Sequence, residues 1–156
     1  MMKLKEGKIA PDFELADQDG KFHKLSDYRG QWTLIYFYPK DDTPGCTKEA
    51  CAIRDMMPDF KKLKLQVFGI SVDSVKSHKK FEEKYDLPFT LLADENKKVV
   101  EQYGVWGQKK FMGREYMGTL RTSFLINPDG EIAKIYDGVK PEVHAEEVLE
   151  DLKKLK

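Results

Sequence analysis

Short apolar runs alternate with amphipathic stretches along this chain, and the runs mark its expected strands. Trp32-Thr33-Leu34-Ile35-Tyr36-Phe37-Tyr38 is an unbroken β-branched and aromatic run, the pattern of a strand covered on both faces, and Pro39 ends it. Gln66-Val67-Phe68-Gly69-Ile70-Ser71-Val72 is a second such run, and Phe89-Thr90-Leu91-Leu92 a shorter third. Between the latter two, Val75, His78, Phe81 and Tyr85 recur at three- and four-residue spacing, which predicts a helix. Thr122-Ser123-Phe124-Leu125-Ile126 and Glu131-Ile132-Ala133-Lys134-Ile135-Tyr136 flank Asp129-Gly130 as a hairpin. Phe13-Glu14-Leu15 and Lys21-Phe22-His23 do the same around Asp19-Gly20, with a turn or single helical turn after them at residues 26–30.

Four further segments complete the pattern. Thr43 is a candidate N-cap and Pro44 suits the first helical position, so a helix is expected from Thr43, interrupted by Pro58 and resumed over residues 59–64. Residues 96–103 read as a helix stopped by Gly104, and residues 105–118, with Gly107, Gly113 and Gly118, as a long irregular loop. The last helix, residues 141–155, is expected to bury Val143, Val148, Leu149, Leu152 and Leu155. This order implies an α/β domain with a mixed central sheet, helices on both faces and an N-terminal β-hairpin. No repeat or low-complexity segment interrupts it, so residues 1–156 are expected to form a single domain.

Charge narrows the function classes. The 27 basic residues balance the 27 acidic ones and are interleaved with them, which argues against nucleic acid as a partner. The stretch at residues 1–7 lacks the apolar run of a signal peptide, and no run approaches the roughly 18 apolar residues of a membrane span. A soluble cytoplasmic protein without membrane contact is the expectation, and in a reducing compartment the two cysteines read as redox-active rather than structural.

Both cysteines, Cys46 and Cys51, fall in the helix that follows the first core strand. Cys46 lies in its first turn, where unpaired backbone N–H groups and the positive end of the helix dipole favour a thiolate, the nucleophilic form. Two helical residues five apart have Cα atoms roughly 8–9 Å apart, whereas a disulfide rarely spans more than about 7 Å. A bond between them therefore requires residues 43–57 to unwind locally. A reactive cysteine opening the helix after the first core strand resembles a thioredoxin-like architecture.

Pro39, Thr43 and Cys46 match the P-x-x-x-T-x-x-C signature of the peroxiredoxins, and Cys51 adds C-x-x-x-x-C spacing. The chain resembles the bacterioferritin-comigratory protein, or Q-type, branch of that family over nearly its full length. Supporting segments include Tyr36-Phe37-Tyr38-Pro39, Gly104-Val105-Trp106-Gly107 and Arg121-x-Ser123-Phe124-Leu125-Ile126. The resemblance implies a thiol-dependent peroxidase in which Cys46 attacks a hydroperoxide, hydrogen peroxide or organic, and becomes a sulfenic acid. It further implies that Cys51 resolves this acid as an intramolecular disulfide reopened by thioredoxin or a related dithiol reductase. Thr43 would hydrogen-bond the sulfur and peroxide, Arg121 would stabilise negative charge on both, and Pro39 would wall the pocket. No cofactor is implied, and a monomer is expected because such a bridge needs no neighbour.

Plainer readings stand beside these. Thr43 is also an ordinary cap, Pro39 a strand terminator, Arg121 a solvated arginine at a strand start, and Glu49 either a helix acid or an orienter of Arg121. Asp41 and Asp42 put negative charge beside the reactive loop, which opposes thiolate formation unless they point away. The rival functions are a thioredoxin-type thiol–disulfide oxidoreductase, which would use C-x-x-C, and a redox-controlled binding module exposing Met56, Met57 and Phe60. A zinc site fits poorly, because His23, His78 and His144 are scattered far from the cysteines.

Overall fold

A computed structural model describes residues 4–156, and the first three residues of the N-terminal stretch lie outside it. The centre of the fold is β3 (Trp32–Phe37), buried at every position after Trp32, so that both of its faces must be covered. It pairs in parallel with β4 (Leu65–Ser71), which pairs in parallel with β5 (Thr90–Ala93). Antiparallel strands extend both sides: β1 (Glu14–Asp17) and β2 (Phe22–Lys24) beyond β5, and β8 (Thr122–Ile126) and β9 (Ile132–Tyr136) beyond β3. The seven-stranded order is β2-β1-β5-β4-β3-β8-β9. Both expected hairpins are present, and a short 3-10 turn, Leu25–Tyr28, fills the segment after the first.

Because side chains alternate along a strand, β3 feeds two cores. Leu34 and Tyr36 pack with α1 (Pro44–Lys62), α2 (Val75–Tyr85) and α4 (His144–Leu155), while Ile35 and Phe37 pack on the opposite face with α3 (Lys98–Gln102) and the β8–β9 hairpin.

Three expectations are corrected. Helix α1 runs unbroken through Pro58 to Lys62. Cys46, Ala50, Ile53, Met57 and Phe60 form a buried stripe at alternating four- and three-residue spacing, and Pro58 lies on the exposed side. Burying Ile53, Met57 and Phe60 stabilises by about 1.5–3 kcal/mol each, and together they exceed the roughly 3 kcal/mol a mid-helix proline costs. Residues 105–118 are no irregular loop. They form a separate two-stranded ribbon, β6 (Trp106–Phe111) with β7 (Arg114–Thr119), turning at Met112-Gly113, both with positive φ. Its strands pair mainly with each other, so no buried face imposed a hydrophobic alternation on the sequence. Finally, α4 begins at His144 and leaves Val143 and Leu155 exposed, since Ala145, Val148, Leu149 and Leu152 already complete its inner face.

Candidate active site

Sheet register brings the site together. Phe37, the last residue of β3, pairs with Thr122, the first of β8, so Arg121 arrives where the chain leaves β3 and turns into α1. Thr43 is extended (φ −103°, ψ 156°) and Pro44 opens α1, which makes Cys46 the third helical residue. Cys46 is buried. Arg121 Nη2 donates to Cys46 Sγ at 3.2 Å, and Nη1 donates to Glu49 Oε1 at 3.1 Å. Gly45 leaves room for this fork: a Cβ there would lie 2.6 Å from Nη2.

Glu49 is only 1% exposed. Burial pushes its carboxyl up to about 7, against the lowering pull of Arg121. One carboxyl oxygen, Oε2, has no partner, and the hydroxyl of neighbouring Tyr36 is likewise buried and unpartnered among the described residues. Burial first, then the negative charges of Glu49 and Cys46, hold the Tyr36 phenol far above its usual range. A second cation approaches from the β6–β7 ribbon, where Lys109 Nζ donates to the Thr119 carbonyl at 3.0 Å. Burial and then the Arg121 charge lower the Lys109 ammonium, while attraction to the Cys46 sulfur acts in the opposite sense.

The other sequence candidates are placed less directly. Thr43 is half-buried at the N-cap position, but its hydroxyl donates backward to the Lys40 carbonyl at 2.9 Å rather than capping the helix. With its proton engaged there, the oxygen is left to accept hydrogen bonds. Pro39 is half-buried just past β3, after Tyr38, whose N–H still bonds to Ile70. Cys51 is a free, half-buried thiol on the same helix as Cys46, itself free. Both are helical, so the geometric bar to a direct bridge stands.

The two acids beside the loop are both tied into hydrogen bonds with their surroundings. Asp41 is buried and accepts from Tyr38 Oη at 2.5 Å and Ser77 Oγ at 2.8 Å, with His78 Nδ1 2.7 Å away. Asp42 accepts from Tyr85 Oη and Lys84 Nζ, which lower its carboxyl. Asp41, Asp73 and His78 cluster closely enough to suggest metal ligands, yet both Asp41 oxygens, both His78 nitrogens and Asp73 Oδ2 are already engaged by one another, Ser71, Ser77, Tyr38 and backbone groups. This cluster anchors the loop before α1. Sequence reading missed Tyr36, Lys109 and the space at Gly45, because each matters only through a neighbour remote along the chain.

The resulting arrangement is a sulfur at a helix N-terminus, facing a guanidinium that is itself oriented by a buried carboxyl. Such a site can activate a thiol as a nucleophile and stabilise charge leaving on oxygen. The AhpC/TSA family profile matches residues 7–135. The peroxiredoxin Bcp of Escherichia coli (strain K12) is 51% identical over 153 residues, covering 98% of each chain. A cysteine mutant of Xylella fastidiosa PrxQ superposes with a TM-score of 0.93 at 33% identity over 99% of both chains. The Xanthomonas campestris bacterioferritin comigratory protein, described in terms of its alkyl peroxide reduction activity, gives 0.90 at 34% identity over 97% of this chain and 99% of its own.

Proposed function

Since the chain belongs to the AhpC/TSA family and is a peroxiredoxin enzyme with a thioredoxin-like fold, we propose that Cys46 reduces hydrogen peroxide and organic hydroperoxides, that Cys51 resolves the product, and that thioredoxin recycles the pair. The observation that carries this is the Arg121 guanidinium 3.2 Å from the sulfur of a first-turn helical cysteine.

The ionised Cys46 sulfur attacks the terminal oxygen of the hydroperoxide. The O–O bond breaks, the sulfur is oxidised to the sulfenic acid, and the departing oxygen takes a proton to leave as water or alcohol. Negative charge moves from sulfur to the leaving oxygen, and Arg121, held through Nη1 by Glu49 with Nη2 on the sulfur, stabilises it with a fixed charge. Thr43 offers an acceptor to the O–H of the incoming peroxide, and Pro39 limits water at the pocket wall. The Cys51 thiolate then displaces hydroxide from the sulfenic sulfur, the hydroxide leaves as water, and the disulfide is returned to two thiols by a dithiol reductant. The bridge lies within one chain, so a monomer suffices. Among the described residues no helix is long and apolar enough to cross a membrane, and a reducing cytoplasm suits this thiol cycle.

Hydroperoxide consumption coupled to a thioredoxin system tests the reading. Cys46→Ser should abolish turnover, while Cys51→Ser should react once and accumulate sulfenic acid. A Cys46→Ser protein with full turnover would falsify the proposal, and oxidation of the native protein without turnover would favour the binding-module alternative.

A further inference from the structure

The last residue of α2, Tyr85, reaches both ends of the segment that carries the two cysteines. Its hydroxyl donates to Asp42 Oδ1 at 2.7 Å, in the loop just before α1. Its carbonyl accepts from Arg54 Nη1 at 2.8 Å, three residues past Cys51. Residues 43–53 lie between these two points, with Cys46 and Cys51 inside. Tyr85 is firmly seated, its ring edge-on to Phe81 at a centroid distance of 5.5 Å and packed against the buried core. Asp42 holds a left-handed backbone (φ 55°), a conformation costly for a non-glycine residue, and Lys84 also binds its carboxylate.

We infer that Tyr85 is a positioning residue that staples both ends of the redox-active segment and so sets how fast Cys51 can reach Cys46. This rests on the reading of Cys46 and Cys51 as the reactive and resolving pair. In the intact helix their Cα atoms are roughly 8–9 Å apart, too far for a disulfide, so the segment must melt before the bond forms. A melted segment tied at these two points is a short closed loop and gains less chain entropy than the longer one that opens when a tie is lost. Unravelling also cannot spread past Asp42 or Arg54 without breaking a staple bond. The staple therefore keeps the Cys46 sulfenic acid in the folded pocket for longer. There a second hydroperoxide competes with Cys51, transferring an oxygen to give the sulfinic acid and leaving as water or alcohol.

Tyr85→Phe keeps the ring and removes only the hydrogen bond to Asp42. Rapid-quench peptide mapping after mixing with hydrogen peroxide should show the Cys46–Cys51 bridge forming about two- to fivefold faster, the change expected for one exposed hydrogen bond to a charged group. The sulfinic fraction across a peroxide titration should fall in parallel, while the second-order rate of the first oxidation stays unchanged. Amide exchange over residues 47–53 of the reduced protein should quicken, a readout independent of disulfide chemistry. Asp42→Ala, which removes the Lys84 contact as well, should quicken the bridge at least as much, and adding Tyr85→Phe to it should change nothing further, because the bond is already gone; Arg54→Met should act in the same direction from the other end. Bridge formation and amide exchange at native rates in Tyr85→Phe would overturn the inference alone. Failure of the native protein to form any Cys46–Cys51 bridge would instead overturn the resolving role of Cys51, and this inference with it.

Discussion

Arg121→Met removes a charge shared by two buried groups, and the structure separates the two consequences. Toward Cys46 the loss is kinetic. A fixed donor aimed at developing charge in a desolvated site is worth roughly 2.7–4 kcal/mol, so the first oxidation should slow by about 10²–10³-fold. Toward Glu49 the loss is a matter of proton linkage. Glu49 titrates at about 7 in the folded protein against 4.5 for the free side chain, so its contribution to stability is full below 4.5, is lost as pH rises to about 7, and then levels off. Without Arg121 the lowering influence is gone, the carboxyl moves higher still, and the decline continues beyond pH 7 at about 1.4 kcal/mol per pH unit. The native protein, half-titrated at pH 7, itself still loses about 0.4 kcal/mol over the next pH unit, so relative to it the variant should lose up to about a further 1 kcal/mol between pH 7 and pH 8. Urea unfolding of the reduced protein at constant ionic strength measures this, and stopped-flow oxidation by hydrogen peroxide measures the rate. Adding Glu49→Gln should remove the extra pH dependence without restoring the rate. A variant that oxidises within tenfold of the native rate, or whose stability deficit is the same at pH 7 and pH 8, refutes the shared-fork argument.

Two other perturbations probe the site's walls. Gly69→Ala would place a Cβ 2.8 Å from the Tyr36 ring, its cross-strand partner, and because that ring is packed and rigid the change should destabilise by about 1–3 kcal/mol in denaturant unfolding; an unchanged midpoint would mean the ring can shift. Lys109→Met removes the second cation near the sulfur and should slow the first oxidation about two- to fivefold while weakening its dependence on ionic strength; an unaltered salt profile would show that Lys109 only braces the ribbon.

Much of the fold was legible because burial leaves a periodic trace. The run from Trp32 to Tyr38 must be a doubly covered strand, and the spacing of Val75, His78, Phe81 and Tyr85 marks α2 with the bounds the structure shows. The ribbon at Trp106–Thr119 left no such trace, since its strands satisfy each other's backbone and face little core. Pro58 misled for a different reason: a local penalty read from one residue was outweighed by the buried stripe on the opposite side of the helix.

The sequence by itself determined most of the elements, the placement of Cys46 in a helix's first turn and the membership of Thr43, Pro39 and Arg121 in a recognisable pattern, because these depend on neighbours within a few positions. Only the tertiary structure decided that Arg121, 75 residues from Cys46, meets its sulfur, that Glu49 stands behind the guanidinium, and that Tyr85 holds both ends of the reactive segment. Those contacts are fixed by the register of β8 on β3 and the docking of α2 beside α1, and pairing between distant segments has no local signature in the chain.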